Sequence, residues 1–173
     1  SGTAHKLLSF VYLREENFAK AWQHFEGRLE EENFIYKNNS SYLISAKLLK
    51  YKKIDPNKQL LVIKEQGVGD ELLYSSMYKD VLERFDNAYI EADERLIGLF
   101  VNSLGKKYEK NFKKFGFFSK NEENFKKIDQ VLFAGSLGYY FRNQINDFPK
   151  KGYIKIDSAL INNTKESLIS FKK

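Results

Sequence analysis

Leu60-Leu61-Val62-Ile63-Lys64-Glu65-Gln66-Gly67-Val68-Gly69-Asp70 is the stretch on which the fold turns. Four consecutive apolar residues, preceded by the turn signal Asp55-Pro56-Asn57, form the pattern of a strand buried on both faces. Gly67 and Gly69 permit a tight bend with no side chains in the way of a ligand, and helical spacing begins at Asp70. The segment therefore reads as strand, turn and helix. Asp70 falls at the helix start, where exposed N–H groups favour a carboxylate.

Downstream the alternation continues. A helix is expected over 70–85, with Tyr74, Met77, Tyr78, Val81 and Phe85 on one face, followed by a strand over 88–92 and a helix over 94–104. Val131-Leu132-Phe133 supplies a third buried strand, and Gly135-Ser136-Leu137-Gly138 opens a helix through Arg142. Residues 153–156 read as a short strand or extended segment and 158–173 as a terminal helix. Strand, helix, strand, helix implies an α/β fold with a Rossmann-like parallel sheet flanked by helices. Between 106 and 127, phenylalanines alternate with lysines; the phenylalanines read as core and the lysines as a solvated face, with a basic, aromatic ligand surface as the alternative.

Upstream, Leu7, Leu8, Val11 and Tyr12, then Phe18, Ala21, Trp22, Phe25 and Leu29, recur at spacings of three and four on either side of the polar break Arg14-Glu15-Glu16-Asn17. This describes two amphipathic helices and resembles one tetratricopeptide-type helical hairpin. Such a pair buries its faces only against neighbours, so it needs either further repeats or the domain that follows. Trp22 reads as an apolar anchor between the two. The resulting division is a helix pair over 1–37, a connector over 38–57 and the α/β domain over 58–173.

Composition narrows the function. The 173 residues carry 29 Lys and Arg against 23 Asp and Glu, for a formal charge of +6, and only five of the basic residues are arginine. No nucleic-acid-binding module accompanies this lysine excess, which reads as solvated surface charge; no nucleic-acid partner is expected. Cysteine is absent, which removes disulfides, thiol catalysis and Cys-based zinc sites. His5 and His24 have no second ligand at metal spacing, so no metal is expected. No apolar run approaches the ~20 residues of a membrane span and no signal peptide is visible, and a cytoplasmic location is expected.

A Gly-x-Gly after a strand is weak by itself, and neither a third glycine at dinucleotide spacing nor a P-loop lysine is present. The longer string 64–74, however, resembles the Glu-Gln-Gly-x-Gly-Asp signature of bacterial proteins that fuse tetratricopeptide repeats to a heptosyltransferase-like glycosyltransferase of the GT-B type. Ala21-Trp22-Gln23-His24-Phe25-Glu26-Gly27-Arg28 resembles the end of that family's last repeat. Residues 91–100 resemble its second strand and following helix, and Gly135-Ser136-Leu137 through Arg142 to Phe148-Pro149 its Gly-Ser-Leu…Arg…Phe-Pro segment.

The resemblance implies an inverting transfer of sugar from a nucleotide-sugar donor to a hydroxyl of a glycan or protein acceptor. It also implies a second Rossmann-like domain beyond Lys173 that holds most donor contacts. This chain would then be the acceptor-side half, without cofactor of its own and inactive alone. Asp70 matches the aspartate assigned as general base in related heptosyltransferases, and a carboxylate on a rigid strand-to-helix turn suits that task. Lys64, Glu65, Gln66, Gly67 and Gly69 would line the same mouth, with Ser136 and Arg142 as further binding candidates. Each has a structural alternative: helix cap for Asp70 and Ser136, interhelical ion pair for Arg142, and fixation of Glu65 by Lys64 or backbone donors.

The competing reading is a non-catalytic module whose helix pair grips a protein partner, with the α/β part as a degenerate scaffold. An enzyme predicts Asp70 and both glycines at the rim of an open pocket; a binding module predicts exposed apolar surface on the helix pair.

Overall fold

The chain order is α1 (Gly2–Arg14), α2 (Phe18–Phe25), α3 (Tyr42–Lys47), β1 (Leu60–Ile63), α4 (Val68–Tyr74), α5 (Tyr78–Arg84), β2 (Ala88–Ala92), α6 (Glu94–Leu104), β3 (Phe112–Lys114), α7 (Glu122–Phe125), β4 (Gln130–Phe133) and α8 (Leu137–Phe141), with several short 3-10 turns between them. The computed structural model describes residues 1–30, 42–65, 67–156 and 161–162. The strands form one sheet in the order β3-β2-β1-β4, every neighbouring pair parallel.

Burial on both faces explains the unbroken apolar runs. Leu60 and Val62 of β1 join Ile90 and Leu132 on one face, under Tyr74, Tyr78, Phe100 and Leu137 from the helices. Leu61 and Ile63 join Val131 and Phe133 on the other, covered by Ile44 of α3, by Phe118 of the turn after β3 and by Phe125 of α7. A parallel sheet covered in this way is the α/β arrangement the alternation implied.

Several local features depart from expectation. The helix expected over 70–85 begins at Val68, is interrupted by a 3-10 turn at Ser75–Met77 and ends at Arg84, leaving Phe85 extended. Ser75 causes the break: its hydroxyl donates to the Leu72 carbonyl at 2.8 Å, competing with the helical ladder. The connector carries α3, and Leu48 then bridges in parallel to Val131 at the edge of the sheet. The stretch 106–127 contains a fourth strand, β3, of which only Phe112 is buried. Its remaining phenylalanines divide: Phe118 and Phe125 are core, Phe115 packs against it and Phe117 is exposed. Residues 153–156 are extended without strand pairing, tied to α6 by Lys155 N–H donating to Ser103 Oγ at 2.9 Å. The terminal helix expected over 158–173 lies outside the described residues except for the helical pair 161–162.

Glu91 shows how the sheet organises its loops. It is fully buried at the second face of β2 and accepts from the backbone N–H groups of Gly116, Phe118 and Ser119 and from the Ser119 hydroxyl at 2.6 Å. A buried carboxylate with four donors is satisfied, and it fixes the turn after β3.

The helix pair packs on the α/β unit. Trp22 and Phe25 belong to the core of the first face, and the Trp22 indole donates to the Arg142 carbonyl at 2.5 Å. Gly138 makes this contact possible: a Cβ there would lie 2.6 Å from the indole ring.

Candidate functional site

The sheet order places a topological switch point between β1 and β4, because the chain runs outward from β1 through β2 to β3 and then returns to the opposite side of β1. Open α/β sheets bind ligands at the carboxyl ends of such strand pairs. Glu65 follows β1, and Gly135 and Ser136 follow β4. The two turns meet there.

What joins them comes from the helix pair. Arg28, in the 3-10 turn after α2, grips Glu65 with two prongs, Nε to Oε2 at 3.0 Å and Nη2 to Oε1 at 2.7 Å, while Nη1 donates to Glu26 Oε1 at 2.7 Å. Nη2 also donates to Ser136 Oγ at 3.0 Å, and Gly135 N–H donates to Glu65 Oε1 at 2.5 Å. Arg28 and Glu65 are each only 3% exposed. Gly135 must be glycine for this approach, since a Cβ there would stand 2.6 Å from Glu65 Oε1 and 2.9 Å from Arg28 Nη2. Burial opposes the Arg28 charge, but Glu65 and Glu26 more than offset it, so the pKa is raised and the guanidinium stays ionised.

Above this buried network lies a crevice of about 250 Å³. Arg28 and Glu65 form its floor, Trp22, Phe25 and Tyr74 its inner wall, and Phe10 and Leu13 of α1 its outer wall, with Asp70 and Lys6 contributing charge. Asp70 is the third residue of α4. Gly67 occupies the N-cap position without a side-chain cap, and among the described residues no hydrogen-bond or ion-pair partner is found for the Asp70 carboxylate. Tyr74, one turn on, has its phenol pushed up by burial and by the carboxylates of Glu65 and Asp70, which keeps it a protonated donor.

The other expected residues are distributed as follows. Lys64 turns towards β2, 3.3 Å from Glu71 and 3.6 Å from Asp93, and does not line the crevice. Gly67 and Gly69 are exposed beside it but outside its lining, with open space where a Cβ would be. Gln66 lies outside the described residues. Ser136 is buried beneath the floor, spent on Arg28. Arg142 is elsewhere, bound to Asp80 Oδ2 at 2.8 Å and to the Ser76 carbonyl at 2.9 Å in the wall of a separate cavity. Its ion pair links α5 to the end of α8.

Arg28, Trp22, Phe25 and Tyr74 are site residues that sequence reasoning did not assign to a site. A signal existed for Arg28. In a chain whose basic residues are nearly all lysine, an arginine marks a place where a planar, two-pronged donor is needed. His5 and His24, for which no metal is expected, share a 2.7 Å hydrogen bond between their Nδ1 atoms, with Tyr12 stacked on His24, in the packing of α1 on α2. Among the described residues no group of three or more His, Asp or Glu is placed to hold a metal ion, and no helix is long and apolar enough to cross a membrane. No family model, curated protein or solved structure matches the chain.

Proposed function

We propose that the crevice is the acceptor site of an inverting, GT-B-type glycosyltransferase and that Asp70 is its general base. The observation that carries this reading is the availability of the Asp70 carboxylate: it lines the crevice and is not spent on capping its own helix. An acceptor hydroxyl seated against it would lose its proton to Asp70 as the oxygen attacks the anomeric carbon of a nucleotide sugar and the nucleoside diphosphate departs. Tyr74 would donate to the acceptor, and the partly buried Trp22 offers an apolar ring against which an acceptor sugar can lie. Further support comes from convergence. Three of the four stretches that resemble the glycosyltransferase family, 21–28, 64–74 and 135–142, meet in the Arg28, Glu65 and Ser136 network that shapes the crevice floor.

The donor would come from a second domain, so the test uses a chain that carries that half. Transfer from a panel of nucleotide sugars is measured for the wild type and Asp70→Asn. Loss of a general base lowers turnover by about 10²–10⁴-fold. Unchanged turnover with a folded variant would remove Asp70 from the chemistry.

One observation favours a second reading, a non-catalytic partner-binding module. Leu7, Leu8, Phe10 and Val11 of α1 are exposed, Leu7 to 61%, as an apolar strip on the helix pair. Retained partner binding by a chain with no transferase activity would favour it.

A further inference from the structure

A second pocket, of about 420 Å³ and open to solvent, shares no residue with the crevice; it is lined by residues 51–54, the end of α5 and α8. Its lining combines Lys52, Lys53 and Arg84 with Tyr51, Tyr139 and Tyr140, and contains no acidic residue. Among the described residues no carboxylate partner is found for Lys52, Lys53 or Arg84, as for many of the exposed lysines, but here three such cations line one pocket. Arg84 instead lies over the Phe141 ring at 4.9 Å.

The aromatic side is held in place. Tyr51 adopts φ +59°, in the left-handed region that a tyrosine seldom occupies, with its hydroxyl donating to the Gln23 carbonyl at 3.0 Å. Its ring meets Tyr139 edge-on at 5.7 Å, and Tyr139 meets Tyr140 at 5.2 Å, whose hydroxyl is tied to the Lys52 carbonyl. Fixed ring faces beside uncompensated cations suit a ligand that presents a planar ring and an anionic group together.

We propose that this cavity binds a nucleoside phosphate, its base against Tyr51 and Tyr139 and its phosphate between Lys52, Lys53 and Arg84. The assignment is independent of any activity in the crevice.

The test is titration of the 173-residue chain with adenosine monophosphate, followed by calorimetry and by NMR of the tyrosine rings. Adenosine and inorganic phosphate, titrated separately, should each bind at least about tenfold more weakly than the nucleotide, and Arg84→Gln or Lys52→Gln/Lys53→Gln should weaken nucleotide binding about tenfold. Tyr139 resonances should shift, and Asp70→Asn should leave binding unchanged. The proposal is overturned if the nucleotide does not bind, if these variants bind it as the wild type does, or if Asp70→Asn abolishes binding and so places the ligand in the crevice. Binding of a single-stranded oligonucleotide without any binding of the mononucleotide also overturns it, since that is attraction to surface charge.

Discussion

Arg28 and Glu65 are locked together by two hydrogen bonds in the interior, although one belongs to the helix pair and the other to the turn after the first strand. The pair makes the helix pair and the sheet edge one structural unit. Removing Arg28 leaves Glu65 and Glu26 buried without a counter-charge. Arg28→Leu should therefore cost about 3–5 kcal/mol, and Arg28→Lys should not restore the loss because an ammonium cannot supply the two-pronged contact. Urea unfolding measures both. A cost below about 1 kcal/mol for Arg28→Leu, the range of an exposed ion pair, would contradict the role assigned to this contact.

Gly138 and Trp22 give a packing test. A methyl at 138 collides with the indole ring, so Gly138→Ala should destabilise by about 1–3 kcal/mol. In a Trp22→Leu background the same substitution should cost markedly less. Equal costs in the two backgrounds would mean that the helix pair does not press on α8 in solution.

The turn after β3 depends on one carboxylate. Glu91→Gln replaces an acceptor oxygen by an NH2 group facing backbone donors, at a cost of about 1–3 kcal/mol. Hydrogen exchange should show loss of protection at the amides of Gly116, Phe118 and Ser119. Retained protection there would contradict the anchoring role.

Glu71 gives a pH dependence with a defined sign. Burial holds its carboxyl above the ordinary 4.5, against the opposing effects of the Asp93 backbone donor and Lys64. Its folded-state pKa exceeds its unfolded value, so its contribution to stability is greatest below the unfolded pKa and falls as pH rises through the folded one. Glu71→Gln does not titrate. Its stability relative to the wild type should accordingly rise as the pH is raised from the ordinary 4.5 through the folded-state pKa. Urea unfolding of both chains across that range checks this; a difference independent of pH would mean that Glu71 is not desolvated. Asp93 should act in the opposite direction. Hydrogen bonds from the Arg95 side chain and backbone hold it below the usual carboxylate range, so its contribution is present above its unfolded pKa and lost in acid.

The legibility of the chain followed burial. Leu60-Leu61-Val62-Ile63 and Val131-Leu132-Phe133 could be read as central strands because both their faces are covered. Phe112-Lys113-Lys114 could not, because an edge strand of three residues with one buried side chain leaves no periodic signal. The bend at Ser75 was hidden because it depends on one hydroxyl choosing a backbone carbonyl over solvent. At the site, Asp70 and Glu65 were visible from the strand-turn-helix pattern. Arg28 was not, since nothing local to residue 28 states that it meets a carboxylate 37 positions later. Trp22 was legible as an anchor, but its place in the crevice wall follows from how the helix pair sits, which no spacing rule contains.

The measurement that bears most directly on the proposed acceptor site is a crystal structure of the protein with an acceptor bound. The account predicts the reactive hydroxyl within about 2.6–3.2 Å of the Asp70 carboxylate, between Tyr74 and the wall formed by α1. An acceptor bound at another surface, with the crevice beside Asp70 left vacant, would contradict it.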